Sequence, residues 1–530
     1  MTTALALLSL AAPLAFLATA ATAIRAPGQR PAVVERTGTI ASWFGVSAAV
    51  ASGAAVAARG LVESPTLGWD GLGLSVRLDP LSTVMLAMIS LLAVVIFRYS
   101  CTYLDGDERH GTFLGRLAAT IASVEVLVIS GNLALLVLTW VTTSLALHRL
   151  LLFYPNRRGA RIAARKKFIA ARFGDALLIT GAVLLYRHVG TGNLQQIFTN
   201  IQQADPNGWK LGSVGVASLC LVGAALLKSA QFPTHGWLVE VMETPTPVSA
   251  LLHAGILNAG PFLAIRMAYV LDRTSAATTL LIAVGGFTAL FASVVLLTQP
   301  SVKVALGYSS AAHMGFMLMV CGMGAYPAAL LHLVAHSFYK AHAFLSSGSA
   351  IDEKRASAVR LPDRLGSPLR VVASVTAALA IYLGLALAWG VDLAGDPIVL
   401  ALGAILVMGT TQIVAPALDS AGPSAGTLRA CFLALLVTTS FFTLEAGAHH
   451  LLEATVPTGG PRGAVSLVAV ACVLAAFVAA VGFQIFEPAR PSGTRRRALA
   501  VHLRNGLYAN ALFDRAIGAL KRPTTITPAS

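Results

Sequence analysis

Charged side chains are scarce in this chain, at 12% of its 530 residues, about half the share found in an ordinary soluble domain. So few charges cannot coat a water-exposed surface of this size. Cysteine is scarcer still. Cys101, Cys220, Cys321, Cys431 and Cys472 stand far apart with no C-x-x-C pair, which argues against an iron–sulfur cluster, a structural zinc site or a disulfide framework; they read as small core residues. No lysine occurs from Val371 to Phe486. Nucleotide-binding glycine loops, acyl-transfer triads and zinc-ligand spacings are missing too, so neither catalytic chemistry nor a cofactor or metal is expected of this chain.

What is present is length of apolar sequence. Mean hydropathy is +0.75 and 56% of residues are hydrophobic, the composition of an integral membrane protein. Runs near the roughly 20 residues that cross a bilayer as a helix fall at about 1–24, 38–58, 80–100, 113–130, 132–152, 169–190, 211–231, 247–271, 277–298, 303–322, 326–349, 370–390, 397–416, 428–447 and 464–486. The expected fold is all-α and polytopic, with about fifteen transmembrane helices. The first run lacks a charged n-region and a clear cleavage site and is expected to stay as a span. The organisation reads as N-terminal spans 1–104, a core 105–350 that holds most of the buried titratable residues, C-terminal spans 351–487 and a basic tail 488–530.

The formal charge of +15 raises nucleic acid as a partner, but the location of the charge argues against it. Basic residues cluster between the apolar runs, at Arg25/Arg30/Arg36, Arg98/Arg109/Arg116, Arg157 to Arg172, Lys354 to Arg370, and Arg495-Arg496-Arg497. That is the positive-inside pattern of a membrane protein. Counting spans from an outside N-terminus puts all five clusters on the cytoplasmic side and the Asp392/Asp396 and 447–463 loops outside, so the expected topology is N-terminus periplasmic and C-terminus cytoplasmic in a bacterial inner membrane. In the tail, Leu503, Leu507, Leu512, Phe513, Ile517 and Leu520 can form one apolar face beside Arg504, Arg515 and Lys521, an amphipathic helix expected on the membrane surface or against a partner subunit.

Ionisable groups at bilayer depth are costly and are by default functional. His332, His336 and Lys340 recur every four residues, which stacks them on one helix face with about 6 Å of rise between neighbours. Lys228 stands alone among Leu, Ala and Ser five residues before Pro233; proline removes a backbone donor, and interrupted helices of this kind mark ion sites in transporters. His253 lies early in the next span, where an imidazole can accept and donate a proton near neutral pH. His313, Lys303, Asp175, Glu125 and His342 are secondary relay candidates: Lys303 also fits an interfacial anchor, and Asp175 a helix-end partner for Arg172. Facing histidines such as His253 and His336 can ligate a haem, but haem leaves Lys228 and Lys340 without a purpose.

Four segments together carry a resemblance: Lys228-Ser229-Ala230-Gln231-Phe232-Pro233; Met242-Glu243-Thr244-Pro245-Thr246-Pro247-Val248-Ser249-Ala250-Leu251-Leu252-His253-Ala254; Lys303-Val304-Ala305-Leu306-Gly307-Tyr308-Ser309-Ser310; and His336-Ser337-Phe338-Tyr339-Lys340-Ala341. In this order, with a basic loop before Phe173-Gly174-Asp175, they resemble the antiporter-like subunits of respiratory NADH:quinone oxidoreductase, especially subunit L, and their relatives in cation/proton antiporters. The resemblance implies inverted repeats with an interrupted helix. It equates Lys228 with the central lysine of the seventh helix, His253 with the titratable position of the eighth, and His332, His336 and Lys340 with the relay of the eleventh. Two departures stand out. The Trp-Glu pair of the fifth helix reads Trp140-Val141 here, which leaves Glu125 as a candidate substitute, and the second interrupted helix and long lateral helix are not recognisable beyond residue 370.

Chain length, the reduced C-terminal half and His336 to Phe344 resemble more narrowly the DabB family, membrane subunits of a two-component inorganic-carbon accumulation system. That resemblance implies conduction of protons, or Na+, down their gradient to power CO2 hydration by a DabA-like partner related to β-carbonic anhydrases, with zinc in the partner and none in this chain. The alternatives are a proton-pumping subunit of a respiratory or hydrogenase-linked complex, and a non-conducting anchor for a partner.

Overall fold

Most of the long apolar runs become single helices in the computed structural model, whereas the run at 247–271 is broken and the one that starts at Ser213 stops at Lys228. The structure describes residues 2–203, 212–241, 244–348, 368–391, 397–419, 424–457, 463–486 and 494–516. Met242 and Glu243, the basic cluster from Lys354 to Arg364, the Asp392/Asp396 loop, and Ile517, Leu520 and Lys521 of the tail lie outside the described residues.

The helices are α1 (Thr2–Leu8), α2 (Ala11–Arg25), α3 (Ala32–Arg59), α4 (Pro80–Tyr103), α5 (His110–Val128), α6 (Leu133–Leu151), α7 (Arg158–Val189), α8 (Leu194–Gln203), α9 (Ser213–Lys228), α10 (Gly236–Glu240), α11 (Thr246–Ala254), α12 (Ala259–Arg266), α13 (Ala268–Leu271), α14 (Ser275–Leu296), α15 (Val302–Gly322), α16 (Tyr326–Leu345), α17 (Pro368–Ala388), α18 (Pro397–Asp419), α19 (Ser424–Leu452), α20 (Ala464–Phe486), α21 (Thr494–Arg504) and α22 (Ala509–Ala516). Among the described residues eleven helices are long and apolar enough to cross a membrane, and Ser213–Lys228, Val372–Ala388 and Ala401–Ala415 are shorter apolar ones. The expectation of about fifteen spans is thus met at eleven by length and composition. α9 falls short because it stops at Lys228, and α16 because its histidines and lysine dilute its hydropathy.

An all-α reading misses one feature. Between α3 and α4 four short strands form two antiparallel ribbons, Val62–Glu63 with Arg77–Leu78 and Leu67–Trp69 with Leu72–Leu74. Asp70 and Gly71 make the inner turn with φ of 47° and 75°, the two-residue Asp-Gly signature of a hairpin.

Close helix packing rests on small residues, as in membrane bundles generally. A Cβ on Gly285 of α14 would meet the Gly315 carbonyl oxygen at 2.6 Å, and one on Gly315 of α15 would meet the Gly285 carbonyl at 2.5 Å. Only Cys321 of the five cysteines is fully buried, and Cys472 is exposed. The expectation of five core cysteines is therefore corrected: α20 packs on α14 through one face only, and Cys472 lies on its exposed side.

The basic tail is corrected as well. Among its described residues it does not lie apart: α21 and α22 fold back on the core. Lys166, fully buried in α7, donates from Nζ to Glu240 Oε1 at 2.6 Å and to Asn510 Oδ1 at 2.9 Å, and pairs with Asp514. Asn510 Nδ2 donates to the same Glu240 oxygen at 2.5 Å. Leu507 and Leu512 remain exposed, so part of the expected apolar face stays open. Lys166→Ala leaves two carboxylates without their cation, an expected loss of about 1–3 kcal/mol. The latch should then open locally, and limited proteolysis within 494–516 should run faster by at least about tenfold than in the parent protein; equal rates would show that the latch does not hold the tail.

Candidate functional site

Two expected spans break in the interior of the bundle, and both breaks are satisfied by named side chains. α9 ends at Lys228, and Ala230 takes a left-handed φ of 52°. The backbone between α9 and α10 finds local partners: Gln231 Nε2 donates to the Ser229 carbonyl at 2.8 Å, Thr234 Oγ1 to the Gln231 carbonyl at 2.9 Å, and the Phe232 N–H to Thr288 Oγ1 of α14 at 3.2 Å.

The run expected as one span at 247–271 breaks at Gly255–Asn258, between α11 and α12, where a 3-10 turn covers Ile256–Asn258. Pro261 has no N–H for the Leu257 carbonyl, and Ser229 Oγ supplies a donor at 2.9 Å instead. The Ala254 carbonyl accepts from Asn258 Nδ2 at 2.8 Å, and the same amide donates to Ser337 Oγ of α16 at 2.7 Å. The two breaks therefore touch, which is how irregular backbone is tolerated at membrane depth.

One polar cluster surrounds Lys228. Its Nζ donates to the Trp140 carbonyl at 3.1 Å and lies 4.3 Å from the centre of the Trp140 ring, a cation–π geometry. Asp175 attracts it and Arg172 repels it; those two are themselves paired at 2.5 Å. Buried Lys167 donates to the Ser144 carbonyl at 2.5 Å and to Ser144 Oγ at 2.8 Å. Lys167, Ser144, Lys228 and Trp237 line a narrow crevice.

A second cluster lies on α11, α15 and α16. His253, fully buried, stacks on Phe344 with ring centres 4.2 Å apart. His313 Nδ1 and His332 Nε2 are 2.9 Å apart, within hydrogen-bond distance, and the His336 ring centre is 4.8 Å from that of His313. Lys340 Nζ donates to Ser309 Oγ at 2.7 Å.

The sequence-derived residues thus divide. His253, His313, His332, His336 and Lys340 come together, and Asp175 joins Lys228. Glu125 does not: it is fully buried on α5 and accepts from Ser90 Oγ of α4 at 3.3 Å, facing the N-terminal helices. Lys303 donates to Thr246 Oγ1 at 3.2 Å at the start of α11, and His342 is exposed on the outer face of α16. Sequence reading passed over Lys167, Asn258 and Ser309. Lys167 was hidden inside a basic loop cluster, and the other two are small polar residues whose role depends on helices far along the chain.

Comparison with known proteins fits this arrangement. Residues 130–391 match the family described as NADH:quinone oxidoreductase/Mrp antiporter, TM, and residues 71–114 match NADH-Ubiquinone oxidoreductase (complex I), chain 5 N-terminus. The chain is 39% identical over 454 residues, 84% of its length and 80% of the relative's, to a protein named probable inorganic carbon transporter subunit DabB2 from Halothiobacillus neapolitanus. It is 35% identical over 289 residues to NADH-quinone oxidoreductase subunit L of Escherichia coli, covering 54% of this chain and 46% of that one. In fold it is similar to a structure of the Mrp complex from Dietzia sp., with a TM-score of 0.64 at 24% identity over 97% of this chain and 61% of that one. The chain belongs to the NADH:quinone oxidoreductase/Mrp antiporter family of multi-pass membrane subunits and, within it, to the group of the DabB subunits.

Proposed function

We propose that this ion-translocating membrane subunit lets protons run down their gradient through the Lys228 and His253–Lys340 clusters, and that this flow powers CO2 hydration and bicarbonate accumulation by a zinc-bearing, carbonic-anhydrase-like partner. The observation that carries the reading is the pair of touching helix breaks, each with a buried titratable cluster beside it, in a chain whose relative over most of its length is named an inorganic carbon transporter subunit. The proposed setting is a bacterial inner membrane with the tail on the cytoplasmic side, the face on which five basic clusters fall. One proton moving through 100 mV releases about 2.3 kcal/mol, enough to bias a partner between two conformations by about fiftyfold.

Purification from native membranes tests the partner. A zinc protein of carbonic-anhydrase type should accompany the chain, whereas quinone-linked subunits in its place would favour the respiratory pump, to which the similarity with subunit L also points. A second expectation concerns the charge partner of Lys228. Asp175→Asn should lower proton flux in proteoliposomes by about tenfold, because it removes the carboxylate that acts on the lysine. Glu125→Gln should retain at least about half of the flux, and the reverse ranking would restore Glu125 as the substitute for the carboxylate missing at Val141.

A further inference from the structure

Three imidazoles from two helices converge more tightly than a linear relay requires. His332 and His336 sit one turn apart on α16, His313 reaches them from α15, and one ligand-capable nitrogen of each lies within 4.8 Å of the others. The 2.9 Å between His313 Nδ1 and His332 Nε2 is the closest pair. His336 is 4% exposed, yet neither of its ring nitrogens makes a hydrogen bond. A buried polar group left without a partner is expensive, and such a ring beside two others is satisfied by an electron-pair acceptor shared among them.

The donor set narrows what that acceptor is. Histidines at i and i+4 on a helix are a recurrent way to present two imidazoles to one metal ion. A tetrahedral ion with Zn–N bonds of about 2.0–2.1 Å holds its ligand nitrogens roughly 3.3 Å apart, and side-chain rotation between rotamers moves ring nitrogens by more than the remaining difference. Three neutral nitrogens without a carboxylate suit zinc-like transition metals and disfavour Mg2+, Ca2+ and Na+. Lys340, the next titratable group on this face, is tethered to Ser309 Oγ of α15 at 2.7 Å.

We propose that His313, His332 and His336 form a binding site for a divalent transition-metal ion of the zinc type, with its fourth position open to water. A metal-bound nitrogen cannot carry a proton, and binding requires the deprotonated ring. Occupancy therefore closes the relay; this last step rests on the proton conduction proposed above, whereas the binding itself does not.

The test uses the purified full-length protein, free of any polyhistidine tag, titrated with Co2+. The expected result is one equivalent bound with the visible absorption of a four-coordinate ion, bleached by Zn2+. His313→Gln and His332→Gln should each weaken Co2+ binding by at least about tenfold, and the surface variant His450→Gln should not. No absorption in the parent protein, or absorption unchanged in both cluster variants, would overturn the site. In proteoliposomes Zn2+ should stop proton flux at the concentration that fills the site; flux that persists with the site filled would overturn the closure. Absence of flux in the metal-free protein, by contrast, would count against conduction and leave the binding result standing.

Discussion

Alanine at position 228 is expected to reduce proton flux at least about tenfold, measured as dye-reported acidification of proteoliposomes, while the protein still elutes as a single folded species. Lys228 ends α9 with its ammonium against the Trp140 carbonyl and ring, beside a crevice and within the field of Asp175. Alanine removes the titratable group that ends α9 at the break. Folding should survive, because taking a buried cation out of the bundle also removes its desolvation cost. The informative companion is Lys228→Arg. Arginine keeps the charge and the contact with Trp140 but does not give up its proton in proteins. A lysine that loads and unloads protons predicts loss in both variants, whereas a lysine that serves only as a fixed charge predicts rescue by arginine. Flux above half of the parental value in Lys228→Ala would sink the assignment of this cluster to the path.

The break at Lys228 was legible because proline has one strong effect on a helix, and Pro233 stands five residues past a lone lysine. The break at Gly255–Asn258 was not, since Gly255 sits in an apolar run that reads as an ordinary span; what makes it break is Pro261 together with a hydroxyl from Ser229, a partner 28 residues away. The i, i+4 spacing of His332, His336 and Lys340 exposed one face of α16, but a helix face says nothing of what packs on it, and His313 became the closest partner only when α15 was laid beside α16. The same holds for the carboxylates. Asp175 and Glu125 are single acids in their helices, and only the packing shows that α7, which carries Asp175, lies against α9 and its Lys228, whereas Glu125 accepts from Ser90 of α4. The tail's contact with the core was not legible, because its polar residues Asn510 and Asp514 meet Lys166, which lies among residues that read as an exposed basic loop.

The largest effect on stability is expected at the N-terminal end of α4, where Asp79→Asn should cost about 3–5 kcal/mol, the range for breaking a buried ion pair and stranding its partner. Asp79 caps α4, accepting from the Ser82 N–H at 2.8 Å, and it binds two buried arginines: Arg77 Nε donates to its Oδ2 at 2.9 Å, and Arg266 at the end of α12 pairs with it directly. Arg266 also donates to Ser82 Oγ at 2.7 Å, so one carboxylate joins the N-terminal helices to the interrupted α11–α12 segment that carries His253. Burial opposes ionisation of Asp79, but Arg266 and Arg77 outweigh it and hold the carboxyl well below the usual aspartate range. A depressed carboxylate stabilises the fold at every pH above its unfolded value of about 3.9 and loses that contribution only as pH falls towards the folded value. The difference in thermal midpoint between the parent and Asp79→Asn in detergent should therefore be constant from pH 8 down to about pH 5 and shrink only below about pH 4. Asp79→Leu combined with Arg266→Met should recover much of the loss, because removing both charges leaves neither buried alone. If the double variant were no more stable than Asp79→Asn, the cap on α4 rather than the ion pair would be what holds the two halves of the core together.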